Sequence, residues 1–261
     1  MIQSFAKQPP GRARIARKWS DRLVLAGHQC GGLSDAVING QWTWNSATIA
    51  QSSQGPAWSF NGSSTYLSRA DAALVGTSAG FSLMCVVTPR TLATDRRIFA
   101  FGSSSSNNPL ISIKTNSATA STATFECRGD VGGSVVESNV ASSFVAGLST
   151  VVVGVMMPPN VMTCYTVNGS GTATFPGTAT LNRTALGCLL RAAASSFAAC
   201  DVSMWAAWNR PLSVHEVYEL IGNPWQMFGT QSARFYDFPE TAGGSAAPVF
   251  YHHRQSQGMA A

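Results

Sequence analysis

Alternation of apolar and polar positions organises this chain. It is clearest in Phe81-Ser82-Leu83-Met84-Cys85-Val86-Val87, a strand pattern with at least one buried side. Similar short runs predict strands at 23–27, 57–60, 66–68, 81–88, 97–101, 110–114, 123–128, 150–156, 162–167, 187–191 and 202–209. Turn clusters separate them: the serine-asparagine run from Ser103 to Asn108, the stretch from Arg128 to Gly133, and Val167-Asn168-Gly169-Ser170, whose Asn-Gly step predicts a hairpin. One helix is predicted, near the C-terminus. Ser213 is placed as its N-cap with Glu216 three residues on, the capping-box spacing, and Val214, Val217, Tyr218 and Ile221 share one face. Gly222 closes the helix and Pro224 forbids its continuation. Many short strands and one terminal helix predict an all-β, two-sheet antiparallel sandwich.

The stretch from Asp201 to Phe228 is the most distinctive. Its strand should place Trp205 on the side opposite Met204 and Ala206. Strand, then Asn-Arg-x-Leu-Ser-x-x-Glu-Val-x-x-Leu, then Asn-Pro-Trp-Gln-x-Phe resembles the C-terminal signature of concanavalin A-like (laminin-G-like) jelly rolls. The run from Trp58 to Leu67 (WSFNGSSTYL) resembles that family's strand-turn-strand, and residues 23–35 its opening strand. The resemblance spans 23–228, implies a jelly roll, and likens Trp225 to a residue that anchors the C-terminus to the sandwich. Its Asn-Pro-Trp-Gln-x-Phe ending is similar to bacteriophage virion proteins.

Composition divides the chain into three parts. Hydrophobic residues make up 45%, enough for a real core, and charged residues only 11%, against about 25% on average; a surface so weakly charged suits packing into assemblies. The net charge of +5 resides in residues 1–22, where Lys7, Arg12, Arg14, Arg17, Lys18 and Arg22 face Asp21 alone. The rest is neutral, which argues against a nucleic-acid-binding body. Residues 1–22 read as an extended basic arm, 23–228 as the jelly-roll domain, and 229–261 as a tail with Phe235, Tyr236, Phe238, Phe250 and Tyr251. The tail is too aromatic for a linker; docking on a neighbour and a hairpin against its own domain are both open. There is no signal-peptide pattern and no apolar run long enough to cross a membrane, so synthesis in a host cytoplasm is expected. The six cysteines lack metal-site spacing and are expected to be reduced thiols, four of them inside strands.

Catalytic chemistry is hard to find. The resembling glycosidases carry Glu-x-Asp-x-x-Glu on one strand, and no such run exists here. Glu216 and Glu219 belong to the predicted helix, and Glu126 and Asp130 read as isolated. No Gly-x-Ser-x-Gly elbow accompanies His28, His215, His252 or His253. No cofactor is expected. Calcium, which the resemblance makes conceivable, is disfavoured because the acidic positions of the family's turn fall on Asn61, Ser64 and Thr65; Asp35 and Asp71 stay as isolated candidates. Trp42 and Trp44, two apart, face one side of a strand and either form a sugar-stacking surface, belong to the core or pack under the arm. Arg12, Arg14, Arg17 and Lys18 suit an acidic groove on a partner protein better than nucleic acid; a solvated leader is the plainer alternative. The combined expectation is a non-enzymatic virion structural protein. It would be a capsid decoration or tail-associated subunit in homo-oligomers, attached to capsid or tail proteins through its ends, with weak host-glycan contact. The alternative is a soluble carbohydrate-binding module.

Overall fold

A computed structural model of the chain describes residues 14–15, 17–28, 42–52, 54–74, 80–105, 108–130 and 132–229. The chain divides into two units, Met1–Gln231 and Ser232–Ala261, and the second lies outside the described residues. Along the first run β1 (Arg14–Ile15), β2 (Leu23–His28), β3 (Thr43–Asn45), β4 (Thr48–Ser52), β5 (Gly55–Asn61), β6 (Tyr66–Leu74), β7 (Phe81–Pro89), β8 (Arg97–Gly102) and β9 (Leu110–Thr115). There follow β10 (Ala123–Gly129), β11 (Gly132–Val140), β12 (Thr150–Met157), β13 (Val161–Thr166), β14 (Gly169–Thr174) and β15 (Leu181–Leu186). The short β16 (Leu189–Leu190) and β17 (Ala194–Ser195) precede β18 (Ala199–Trp208), α1 (Val214–Gly222) and β19 (Phe228–Gly229).

Two antiparallel sheets face each other. One has the order β11-β10-β9-β8-β15-β6-β3, the other β14-β13-β12-β7-β18-β5-β4, with β2 also pairing β18. The predicted two-sheet jelly-roll sandwich with one short C-terminal helix is what the chain forms. Between the sheets lie Trp58, Phe60, Phe99, Phe101, Phe125 and Trp205, each at most 5% exposed. Burying one such aromatic contributes roughly 2–3 kcal/mol.

The eight-stranded sheet is apolar on both sides. Along β18, Val202, Trp205 and Ala207 point into the inter-sheet core, while Met204, Ala206 and Trp208 point outward, so Trp205 does oppose Met204 and Ala206. A register shift between Val202 and Met204 sets this phase. The outward side is covered by α1, by Trp225 and by Trp19, all in one second cluster. Trp225, predicted to anchor the C-terminus, is buried there. The covering is polar where it must be: Trp208 Nε1 donates to the Trp19 carbonyl at 2.9 Å.

The helix starts as predicted. The backbone amide of Glu216 donates to Ser213 Oγ, and that of Ser213 to Glu216 Oε2 at 2.8 Å. Its buried face differs from the expectation: Val217, Leu220 and Ile221 are buried, whereas Val214 and Tyr218 are half exposed. The bidentate Arg210–Glu216 pair ties the first turn to the strand end and fixes the rotation, which leaves Tyr218 edge-on to Tyr165 at 6.2 Å.

Strands β4, β11, β14 and β15 were not legible as strands, and the predicted strand at 187–191 is present only as the two-residue β16. Gly187 stands at φ 82 between β15 and β16, and a Cβ there would be 2.5 Å from the Phe60 ring, so the chain must turn at this point. The Asn-Gly hairpin is present, with Thr166 opposite Gly169. Part of the basic arm lies against the domain: β1 pairs β19, and residues 17–19 form a short 3-10 turn that buries Trp19.

Cys85, Cys127, Cys164, Cys188 and Cys200 are free, buried thiols; Cys30 lies outside the described residues. Burial raises all five, Cys164 and Cys188 to about 12. A thiol reagent added to native protein should leave these five unmodified, and denaturant should expose all of them. Gly154 faces Phe125 so closely that a Cβ would enter the ring contact. Gly154→Ala is therefore expected to cost about 1–3 kcal/mol, read by denaturant titration.

Candidate functional site

Two places on this fold combine exposure or charge with fixed geometry. The first is the edge where β3 and β4 end the two sheets. The chain crosses between sheets here through Ser46, at φ 53. Trp42 and Trp44 do face one side, as the spacing predicted, but they do not form one platform. Trp42 is half-buried and packs edge-on to Trp205, ring centroids 5.8 Å apart. Trp44, 42% exposed, stands nearly perpendicular to the buried Trp58 at 4.8 Å and 86°. Ile49, opposite Trp58 in the register of β4 and β5, is 49% exposed. Trp44 and Ile49 thus make an apolar lip on a rigid aromatic base. Sequence spacing gave the shared side; the separate roles depend on Trp58 and Trp205, which come from the facing sheet.

The second place is the outer face of the seven-stranded sheet. Glu126 is not isolated as its sequence context suggested. Its carboxylate accepts from Arg97 Nε at 2.8 Å and Nη2 at 3.1 Å and from Ser112 Oγ at 2.5 Å, and Lys114 Nζ is 3.1 Å away. Lys114 also reaches Asp95 at 2.9 Å and Glu137 at 2.6 Å, and Arg97 reaches Asp95 at 2.8 Å. Glu126 and Glu137 are opposed in register, a like-charge pairing that Lys114, from the next strand, neutralises. Side-chain exposure is 0% for Glu126, 2% for Lys114 and 8% for Arg97. Burial is the largest single influence and works to lower both cations' pKa values, but the Glu126 charge and the hydrogen bonds to Glu126, Glu137 and Asp95 together outweigh it and both rise. Asp95 is lowered: burial opposes this, but Lys114 and Arg97 prevail. A carboxylate so fully engaged by donors is a structural acceptor. It has no lone pair aimed at a substrate with which to act as a base.

Other candidates are placed plainly. The Asn61 side-chain oxygen accepts from the backbone amides of Ser63, Ser64 and Thr65 at 2.9–3.1 Å, so the turn that resembles the family's acidic one spends this oxygen on its own backbone. Asp130 accepts from Thr180 N and Oγ1 at 2.8 and 3.0 Å. Among the described residues no group of three or more His, Cys, Asp or Glu is placed to hold a metal. Asp35 lies outside the described residues, as do Arg12, His252, His253 and the tail aromatics Phe235, Tyr236, Phe238, Phe250 and Tyr251. Arg14 and Arg17 are described only in their backbone, whereas Lys18 pairs with Glu219 on α1. His215 is exposed, 3.5 Å from Glu219. A cavity of about 290 Å³ lies by Gly129, Phe175 and Gly177 at one end of the sandwich.

No family model matches the chain, and no curated protein matches its sequence. Solved structures share the fold. Domain 4 of AbnA, a GH43 extracellular arabinanase from Geobacillus stearothermophilus solved with arabinotriose, aligns over 77% of this chain and 98% of its own, at 18% identity and a TM-score of 0.55. The binding domain of Paraclostridial Mosquitocidal Protein 1 aligns over 77% of this chain and 52% of its own, at 11% identity and a TM-score of 0.57. The botulinum neurotoxin serotype G binding domain aligns over 76% of this chain and 50% of its own, at 10% identity and a TM-score of 0.57. The chain spans 26% of the NanB sialidase from Streptococcus pneumoniae, at 14% identity and a TM-score of 0.48. At these identities the likeness is one of fold, compatible with lectin-like jelly rolls. The arabinanase and toxin binding domains lend the virion expectation no support.

Two outcomes follow from the electrostatics. Replacing Glu126 by Leu removes the fully buried carboxylate that Arg97 and Lys114 share, leaves them only Asp95 and Glu137, and should cost about 3 kcal/mol, read by denaturant titration. Glu216 is held down at about 2, against an ordinary 4.5, chiefly by its hydrogen bonds from Arg210. Its contribution to stability is complete above pH 4.5 and fades as pH falls toward 2. Acid titration of the wild type should therefore show a loss in that window that Glu216→Gln lacks.

Proposed function

We propose that this chain is a non-catalytic carbohydrate-binding module that stacks a sugar ring on Trp44. The carrying observation is the exposed indole of Trp44 braced on buried Trp58 beside exposed Ile49. An aromatic held in place before binding loses little freedom when a ligand covers it, and its apolar face suits the C–H side of a pyranose or furanose ring. AbnA domain 4, solved with arabinotriose, lends the reading a precedent on the same fold. The engaged state of Glu126 supports the non-catalytic part.

A second reading, attachment to a larger particle such as a virion, draws on one observation. Arg14 pairs with Gly229, so segments 1–13 and 230–261 depart from one point of the domain. The virion-like ending Asn223-Pro224-Trp225-Gln226-Met227-Phe228 immediately precedes that point. Incorporation into particles by wild-type chain but not by one lacking residues 1–13 would favour it.

The module reading is tested with a neutral-oligosaccharide array that includes arabinotriose, followed by calorimetry. Trp44→Ala should weaken binding about tenfold or more with little change in melting temperature. Trp42→Ala should instead cost ~2 kcal/mol or more of stability. Absence of any wild-type ligand on the array, or full affinity in Trp44→Ala, contradicts the reading.

A further inference from the structure

The two sides of the sandwich end differently. On one side β11 and β14 are stitched to each other across the sheets. The wholly buried Ser138 Oγ donates to the Gly171 carbonyl and accepts from the Cys164 amide at 2.8 Å. On the other side β3 and β4 end the sheets. Among the described residues β4 pairs with β5 alone, and Thr48, Ile49 and Gln51 are exposed along it. Natural proteins guard an unpaired edge with a charge, a proline or a bulge. Strand β4 has none of these: it reads Thr-Ile-Ala-Gln-Ser, and its register with β5 runs without a shift.

Register also fixes which backbone groups lie free on this edge. Gln51 stands opposite Pro56, which has no amide hydrogen, so theirs is a non-hydrogen-bonded pair. By alternation Ile49 and Trp58 form another. Thr48, Ala50 and Ser52 therefore spend their amides and carbonyls on β5, and those of Ile49 and Gln51 point away from it along the exposed edge. Ala47, the next residue in phase, is buried and follows Ser46 at φ 53, where the extended backbone breaks. The edge thus offers two amides and two carbonyls, with Ala50 midway between them.

We propose that β4 pairs with β4 of a second copy of this chain, antiparallel, with the two-fold axis through Ala50. Ile49 of each copy then stands opposite Gln51 of the other, and the two pairs exchange all four amide–carbonyl hydrogen bonds. An axis through Ile49 would form only half as many, because the buried Ala47 would have to face Gln51. The chosen axis falls on a non-hydrogen-bonded pair, where Cα atoms approach to about 4.5 Å, and alanine is small enough for that approach. Thr48 of one copy meets Ser52 of the other, a hydroxyl pairing that sheets favour. Identical uncharged strands meet without like-charge repulsion, whereas a charged foreign strand would find no counter-charge on β4. The eight-stranded sheet would continue from one copy into the next. The proposal uses backbone groups of β4 and does not rest on the sugar reading, whose indole belongs to β3.

Sedimentation velocity on the full chain, in a concentration series reaching the high micromolar range, should show a reversible monomer–dimer equilibrium. Gln51→Pro removes one edge-facing amide per copy and should weaken association about tenfold. Its melting temperature, measured where both proteins are monomeric, should stay near the native value, because β5 does not use that amide. Oxidative cross-linking reads the register. In a Cys30→Ser background, Ala50→Cys should form a disulfide-linked dimer, since about 4.5 Å between Cα atoms suits the bond. Thr48→Cys, displaced from its counterpart by about 13 Å along the strands, should not. The five buried thiols should stay out of the reaction. A wild type that remains monomeric throughout, association undiminished in Gln51→Pro, or cross-linking at 48 as readily as at 50 would each overturn the proposal. The first of these outcomes would leave the edge to a foreign strand.

Discussion

The central strand β18 is apolar on both sides, and the rest of the architecture answers that constraint. Trp205 on one face and Trp208 on the other are each at most 3% exposed, and neither could face water without forfeiting a few kcal/mol. One face is closed by the seven-stranded sheet. The other is closed by α1, Trp225 and Trp19, which makes part of the N-terminal arm and the lone helix components of the core. Both sides of β18 are thus covered, and the charged cluster around Glu126 lies on the outer face of the partner sheet.

On that outer face polarity is resolved by pairing. Around Glu126 every charge has a close opposite, and the result is a rigid plate of Arg97, Lys114, Glu126, Asp95 and Glu137. Such a network contributes definition of register more than net stability, because desolvation offsets much of the Coulombic gain.

Much of this was legible in the sequence, for identifiable reasons. Alternation in β7, the Ser213–Glu216 cap and the Asn168–Gly169 step are local signals, and each produced the predicted element. Strand β14 (Gly169–Thr174) was not seen because it is small and polar with no bulky face; only its pairing with β13 defines it. The exposure of Val214 and Tyr218 escaped detection because the helix is oriented by Arg210, outside it. Glu126 looked isolated because Arg97 and Lys114 arrive from other strands. The fold followed from local periodicity, whereas the site depends on pairings between distant segments.

A bound sugar on this scaffold should meet an aromatic surface that already exists in the free protein. The most direct check follows the indole N–H resonances of the tryptophans while an oligosaccharide ligand is titrated in. The account predicts that the Trp44 signal moves with ligand concentration, while those of Trp19, Trp205, Trp208 and Trp225, sealed in the two apolar clusters, hold their positions. A saturating ligand that leaves Trp44 unmoved would contradict it.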